Sequence, residues 1–327
     1  MIVTREMIDP KIRLRGRIVD LINTRSTERQ YLKHVRRTRY TMRLLAGRSL
    51  AGVHSQEIRV PRSDGGSTIR VRVMSSPAKN RRDRAVPGVL WIHGGGYAIG
   101  VPEMDSRVHR MLVQEYGYVV IAPDYRLSID APYPAALDDC YDTLLWMRDH
   151  ADELGIRSDR LIVGGGSAGG GLTAAVSLRA RDTGDVKIAL QVPLYPMIDD
   201  RRETESAREN NAPVWNSETN RWAWRLYLGE LCRGDVPAWA APARATDFRG
   251  LPPAVTFVGD LEPFRDETVR YAERLKEAGV PVRFRVFERC FHAFDIVHPN
   301  AAVSLQARRF WTAALPTGDR RIIMRHR

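Results

Sequence analysis

The chain has 327 residues with an ordinary apolar content, which suits one large α/β domain with an insertion, or two domains. It has no apolar run long enough to cross a bilayer, and its first ten residues lack the apolar core of a secretory signal. We therefore expect no stable membrane anchor. The three cysteines, Cys140, Cys232 and Cys290, are sparse and widely spaced, which favours free thiols and a cytoplasmic location.

The formal net charge of +12 could indicate a nucleic-acid or anionic-membrane partner. Only five of the 51 basic residues are lysines, and most arginines are scattered, as a GC-rich coding bias would produce. The exceptions are residues 13–48 and the tail that begins at residue 320. No aromatic residues alternate with a basic stripe, so we predict no nucleic-acid partner.

The first elements along the chain are helical and then extended. Residues 1–50 are basic with helical periodicity. Residues 57–60 and 68–73 alternate apolar and polar residues on either side of Asp64-Gly65-Gly66. This pattern predicts an antiparallel hairpin at a sheet edge.

Six short apolar segments follow, separated by amphipathic helices, and such continuous strands predict a parallel sheet that is covered on both faces. They comprise residues 88–92, 119–122, 161–163, 188–192, 254–258 and 282–286. The last of them could pair with a second copy, so we consider a homodimer.

The alternation of strands and helices breaks between residues 199 and 237. Four aromatic residues there have roughly helical spacing: Trp215, Trp222, Trp224 and Tyr227. We predict a helical insertion whose aromatic side chains pack onto the core, with one or two of them at the mouth of a pocket.

The motif with the most chemical content is Gly165-Gly166-Ser167-Ala168-Gly169, which fits the G-x-S-x-G pattern. An apolar strand precedes it and a helical segment follows. A serine on such a strand-to-helix turn points its hydroxyl away from the sheet. The sequence therefore predicts Ser167 as a nucleophile.

A serine nucleophile needs a base and hydrogen-bond donors for the oxyanion. His292 follows the last predicted strand, and it lies after the serine in chain order, as in the serine–acid–histidine arrangement. The run His93-Gly94-Gly95-Gly96 follows the strand that ends at residue 92, so Gly94 and Gly95 are expected to join Ala168 as N–H donors. His93 would shape this loop.

The other histidines have no motif around them, and we expect them at the surface: His34, His54, His109, His150, His298 and His326. No pair of histidines has metal-ligand spacing, so neither a metal nor a cofactor is predicted.

The acid that orients the histidine is not determined by spacing. Four carboxylates, Asp260, Glu262, Asp266 and Glu267, lie within eight residues after one strand. Asp260 is nearest the strand end, while Asp266 and Glu267 fall where a helix should begin and where they would favour its dipole.

Taken together, these motifs resemble the bacterial hormone-sensitive-lipase family of α/β-hydrolases over most of residues 85–300. The resemblance rests on the glycine loop, the serine motif, the acid and histidine segments, and three further runs: Asp124-Tyr125-Arg126-Leu127, residues 134–139 and residues 251–254. It implies an α/β-hydrolase fold with residues 51–198 and 237–327 as the catalytic domain. Residues 1–50 and 199–236 would form a helical cap.

Two positions depart from the family pattern. Gly166 stands where the family often has Asp or Thr, and Glu262 stands where its acid is usually Asp. The resemblance favours Glu262 as the acid over Asp260 and Asp266.

The resemblance also implies a serine carboxylesterase for short- to medium-chain acyl esters of small molecules. Hydrolysis of a small-molecule amide, or deacetylation, would use the same residues. A ligand-binding protein without catalysis is the alternative from another class, and the presence of a serine, a histidine and an acid argues against it.

Overall fold

An eight-stranded sheet forms the centre of the computed structural model, which describes residues 1–23, 27–77 and 85–316. The strands are, in chain order, β1 (His54–Val60), β2 (Ile69–Ser75), β3 (Val86–Ile92), β4 (Val119–Asp124), β5 (Ile156–Gly166), β6 (Ile188–Leu194), β7 (Ala254–Gly259) and β8 (Val282–Phe287).

The spatial order of the strands is β1-β2-β4-β3-β5-β6-β7-β8. The hairpin β1–β2 is antiparallel, with Ile58 opposite Val71, and β2 pairs antiparallel with β4. The six strands from β3 to β8 run parallel to one another. The predicted hairpin at one edge and the predicted parallel sheet are both confirmed.

The part of the chain given above contains ten α-helices. They are α1 (Pro10–Asn23), α2 (Glu28–Arg43), α3 (Ser106–Gln114), α4 (Ala135–Asp149), α5 (Ala151–Leu154), α6 (Ala168–Thr183), α7 (Ser217–Leu228), α8 (Arg265–Glu277), α9 (Phe294–Val297) and α10 (Ala302–Thr312). The central strands are buried almost throughout, so both sheet faces are covered. The predicted α/β architecture is confirmed.

The N-terminal helices pack against the segment that interrupts the alternation. Tyr31 of α2 is buried against Trp222 of α7, with ring centroids 5.8 Å apart. Nearby, Arg225 of α7 forms an ion pair with Glu28 at 3.0 Å. Helices α2 and α7 thus pack against each other.

The insertion is helical only in part. Residues 217–228 form α7, and Trp222, Trp224 and Tyr227 are buried as predicted. Residues 199–216 are instead irregular, and Arg202, Glu209 and Val214 have positive φ. The buried Asn210 holds this segment, because its side chain donates to Leu261 O at 3.0 Å and accepts from Ala212 N at 2.8 Å.

Three further expectations concern the chain as a whole. All three cysteines are free, and Cys140 and Cys290 are buried. Within the described ranges, no helix combines the length and the apolar character that crossing a bilayer requires. The predicted surface position of His326 and the end of the predicted catalytic domain, residues 317–327, fall outside the described residues.

Candidate active site

The serine motif forms a sharp turn between β5 and α6. Ser167 has φ 59° and ψ −121°, a strained conformation for a residue with a side chain. The turn also requires close backbone packing: a Cβ on Gly169 would lie 2.0 Å from Ile92 O, and one on Gly165 would lie 2.3 Å from the same oxygen. Glycine is therefore needed on both sides of the serine, and Ser167 remains 8% exposed at the sheet edge.

Ser167, His292 and Glu262 form a continuous chain of hydrogen bonds. Glu262 Oε2 accepts the Nδ1 proton of His292, which leaves Nε2 free to accept a proton. Ser167 Oγ lies 2.9 Å from that Nε2 and donates to it. Each of the three residues follows the carboxyl end of a different parallel strand. Open α/β sheets place their sites at these strand ends.

Glu262 is held for this contact by the backbone of its own turn. Its Oε1 accepts Gly259 N–H at 2.7 Å, and its side chain is fully buried. Phe264 and Trp215 line the histidine, with ring centroids 5.0 and 6.2 Å from the imidazole. The two hydrogen bonds fix the Glu262 carboxyl group beside the imidazole, where it can orient the ring.

The other carboxylates considered from the sequence accept hydrogen bonds from backbone N–H groups. Asp260 Oδ1 accepts Cys290 N–H at 3.1 Å, which fixes the histidine segment from one side. Asp266 accepts Ser206 N–H at 2.9 Å, and Glu267 accepts Ile198 N–H at 2.9 Å. Both lie in the first turn of α8, as the sequence predicts. Among the described residues, Glu262 is the carboxylate that contacts His292.

The glycine loop lies against the serine turn. A Cβ on Gly94 would be 2.9 Å from Gly166 O and 3.5 Å from Ser167 Cβ. Within the ranges that the structure covers, the backbone N–H groups of Gly94, Gly95 and Ala168 have no hydrogen-bond acceptor. Ala168 also begins α6, so the positive end of the helix dipole faces this point. Three free donors beside a serine hydroxyl can stabilise an oxyanion.

His93 and Tyr97 fix the glycine loop from its two ends. His93 Nδ1 donates to Gly94 O at 2.8 Å, and this hydrogen bond within the loop agrees with the predicted role of His93 in shaping it. Its ring stacks on Tyr125 at 4.2 Å, and burial lowers the pKa of this histidine. Tyr97, which the sequence analysis did not single out, donates to Met197 O at 2.7 Å and stacks on Tyr227 of α7 at 3.9 Å.

Packing explains why glycine stands at position 166, where the family often has Asp or Thr. A Cβ on Gly166 would lie 3.0 Å from the Tyr195 ring and 3.1 Å from its hydroxyl. Tyr195 is buried and meets the His292 ring edge-on at 5.1 Å. The tyrosine therefore fills the space that a larger residue at position 166 would need.

A carboxylate that sequence reasoning missed lies behind this tyrosine. Asp295 follows His292 by three residues and lies near Tyr195. Burial raises the pKa of Asp295 to about 7, against the opposing effect of the Tyr195 hydroxyl. No local motif marks Asp295, because its partner is one hundred residues away in the chain.

His109 is one of the histidines expected at the surface, and that prediction is wrong. It lies on the buried side of α3, and burial lowers its pKa to about 3. Across the described ranges, no group of three or more His, Cys, Asp or Glu residues is arranged to hold a metal ion.

The comparisons with known proteins agree with this geometry. A family model described as alpha/beta hydrolase fold matches residues 89–296. The chain is 35% identical to carboxylesterase NlhH of Mycobacterium tuberculosis over 73% of this chain and 76% of that protein. It is also 35% identical to esterase LipI of the same species, but over 64% of this chain and only 65% of LipI, just under two thirds of its length.

Among solved structures, a bacterial heroin esterase superposes with a TM-score of 0.86 and 36% sequence identity. The match covers 95% of this chain and 98% of that one. The resemblance inferred from the motifs is thus confirmed over most of the molecule. This chain belongs to the α/β-hydrolase fold family, in its hormone-sensitive-lipase-like branch.

Proposed function

We propose that this protein is a serine carboxylesterase that hydrolyses short- to medium-chain acyl esters of small molecules through an acyl-enzyme on Ser167. The observation that carries the proposal is the hydrogen-bonded chain Ser167–His292–Glu262 beside three unpaired backbone N–H groups. The esterases among the relatives support the reaction class. The acyl-length range comes from the family resemblance.

In the proposed acylation, Ser167 Oγ attacks the ester carbonyl carbon and its proton passes to His292 Nε2. The carbonyl oxygen becomes an oxyanion that accepts hydrogen bonds from Gly94, Gly95 and Ala168. His292 then protonates the ester oxygen of the leaving group, the C–O bond breaks, and an alcohol departs. Glu262 holds the imidazole in position and stabilises the imidazolium.

Deacylation repeats these steps with water. Water gives a proton to His292 as its oxygen attacks the acyl carbon, and the second tetrahedral intermediate uses the same donors. His292 returns the proton to Ser167 Oγ when the bond between the serine and the acyl group breaks. The products are the carboxylic acid and the restored serine.

The proposed cap comprises residues 1–50 and 199–236, and the rest of the chain forms the catalytic domain. Two contacts support a role for the cap at the site. Trp215 lies above Gly96, where a Cβ would approach its ring to 2.4 Å, and its ring faces His292. Trp215 would therefore limit the space for the substrate at the mouth of the site.

The test uses p-nitrophenyl esters from acetate to laurate on the unmodified chain and on Ser167→Ala. We expect hydrolysis that is fastest for short chains and a loss of about 10⁴-fold or more in the variant. Unchanged turnover in Ser167→Ala would refute the assignment. Matched p-nitroanilides distinguish an ester from an amide substrate, and failure of both series would favour a ligand-binding protein.

A further inference from the structure

The first fifty residues carry most of the net positive charge of the molecule. They contain thirteen arginines and lysines and four acidic residues, a net charge of +9 within the chain's +12. Among the described residues, six of the eight large apolar side chains that are exposed also lie in this segment. Charge and exposed apolar surface therefore coincide in the same part of the chain.

Helix α1 has apolar residues on two opposite sides. Ile12 and Gly16 face the core, where a Cβ on Gly16 would meet the Phe291 ring at 2.6 Å. A second apolar row lies on the outer side: Leu14, Ile18 and Leu21 are 70%, 50% and 83% exposed. At 100° per residue, this spacing aligns the three side chains in one stripe that points away from Ile12.

Cationic side chains border this outer stripe on both sides. By the same helical geometry, Lys11 and Arg15 lie along one side of it and Arg17 along the other. All three are exposed. Helix α2 adds the exposed Tyr40 together with exposed Lys33, Arg36 and Arg37, and the exposed Leu44 directly follows the helix.

We propose that α1 docks the protein reversibly on an anionic lipid surface, with Leu14, Ile18 and Leu21 in the acyl boundary and the flanking cations among the headgroups. An apolar stripe with cations on both sides is complementary to such a surface, which offers both negative charge and hydrocarbon. A nucleic acid would pair with the cations but would leave the aliphatic stripe in water. The proposal does not depend on the esterase function.

The position of α1 determines where a docked molecule would hold its candidate active site. Its start is tied to the histidine segment, because Asp9 N–H donates to Arg289 O at 2.9 Å. Gly16 packs further along the helix against Phe291, the neighbour of His292. A docked molecule would therefore hold its candidate active site close to the lipid surface.

The experiment measures co-sedimentation of the full chain with phosphatidylcholine vesicles that contain either no phosphatidylglycerol or 30 mol% of it. We expect binding to the anionic vesicles, weakening as salt rises from 0.1 to 0.5 M, and little binding to the neutral ones. The variants Leu14→Ser/Ile18→Ser/Leu21→Ser and Lys11→Gln/Arg15→Gln/Arg17→Gln should each bind at least about ten-fold more weakly.

The matched control is Lys187→Gln/Arg233→Gln/Lys276→Gln, which removes the same charge at exposed positions elsewhere and should bind like the unmodified chain. Thermal unfolding of each variant checks that the fold is kept. Absence of binding to anionic vesicles, or full binding by the Leu14/Ile18/Leu21 variant, would overturn the proposal. An equal loss of vesicle binding in the control variant would also overturn the proposal, since binding would then depend on net charge alone.

Discussion

At the scale of single residues, the identity of the acid decides how the candidate site works. Glu262 contacts His292, and its second oxygen is fixed by Gly259 N–H. Asp260 instead accepts Cys290 N–H and supports the loop. The longer glutamate side chain reaches the imidazole from a turn that begins after Gly259.

Replacing the acid should therefore reduce turnover far more than replacing its neighbour. For Glu262→Gln we expect kcat to fall by about 10⁴-fold with little change in KM, because the amide cannot stabilise the imidazolium. Asp260→Asn is the control and should lose less than about ten-fold. Steady-state kinetics on p-nitrophenyl acetate compares the two variants. A larger loss of kcat in Asp260→Asn than in Glu262→Gln would exclude Glu262 as the acid.

Asp295 should make stability depend on pH. Its pKa is raised by burial to about 7, against about 3.9 for an unfolded aspartate, so the folded chain holds a proton that the unfolded chain releases. The contribution of Asp295 to the free energy of unfolding is then largest below pH 4 and falls as pH rises to 7.

In the variant Asp295→Asn, the free energy of unfolding should decrease less as pH rises. Urea unfolding at intervals from pH 4 to pH 8 measures this. Asp159→Asn is the control, because Arg157 lowers the pKa of this exposed carboxyl and its titration lies below the range. A pH profile of Asp295→Asn parallel to that of the unmodified chain would show that Asp295 titrates normally.

At the scale of elements, the loop after β3 has to present two N–H groups beside the serine turn. Gly95 has φ +115°, and a Cβ there would lie 2.0 Å from Ile99 O, the carbonyl that follows the loop. Tyr97 ties the same loop to α7. The geometry of the donors thus depends on a backbone that only glycine permits.

Gly95→Ala should displace the loop and lower kcat by about 10²–10³-fold, the loss expected for one oxyanion donor. Gly65→Ala provides a matched control, because Gly65 also has positive φ but a Cβ added there would meet nothing within 4 Å. It should lose about 1 kcal/mol of stability and keep its turnover. Normal esterase activity in Gly95→Ala would argue against this loop as the source of donors.

At the scale of the whole molecule, a buried ion network joins the hairpin, the N-terminal segment and the loop before α3. Glu103 binds Arg70 and, at 2.7 Å, Arg72, and it accepts Gly47 N–H at 2.8 Å. Burial opposes its ionisation, but the Arg70 guanidinium holds the pKa of Glu103 below its usual value. Glu103 thus bridges two largely buried cations, of which Arg70 also pairs with Asp124 and Glu57.

Glu103→Gln should reduce the free energy of unfolding by about 3 kcal/mol, because it removes the carboxylate that, among the described residues, pairs with the buried Arg72 guanidinium. Glu57→Gln is the control: Glu57 also pairs with Arg70 but its side chain is 39% exposed, so the loss should stay below about 1 kcal/mol. Urea unfolding at pH 7 compares the two, and equal losses would show that burial of the network contributes little.

The sequence alone predicted the parts of this molecule that depend on local pattern. Continuous apolar runs identified the strands, and the serine and glycine motifs identified Ser167 and the loop at Gly94 and Gly95. Spacing could not choose among the carboxylates after β7, because that choice depends on which side chain turns toward a histidine thirty residues away. Only the family resemblance favoured Glu262.

Other features of the structure could not be predicted from the sequence, for physical reasons. Asp295 and Tyr195 meet through the fold, and neither lies in a motif. His109 was expected at the surface because a histidine without a motif is usually exposed, whereas packing of α3 buries it. The irregular part of the insertion, residues 199–216, is held by side-chain-to-backbone hydrogen bonds, and these leave no periodic signal.

The central claim is that Ser167 carries the acyl group and that His292 activates it. It is tested most directly by mass spectrometry of the chain after reaction with a fluorophosphonate. We predict one adduct, located on the peptide that contains Ser167, and labelling slowed by about 10³-fold or more in His292→Ala. An adduct on another residue, or labelling of Ser167→Ala at the unmodified rate, would contradict the account.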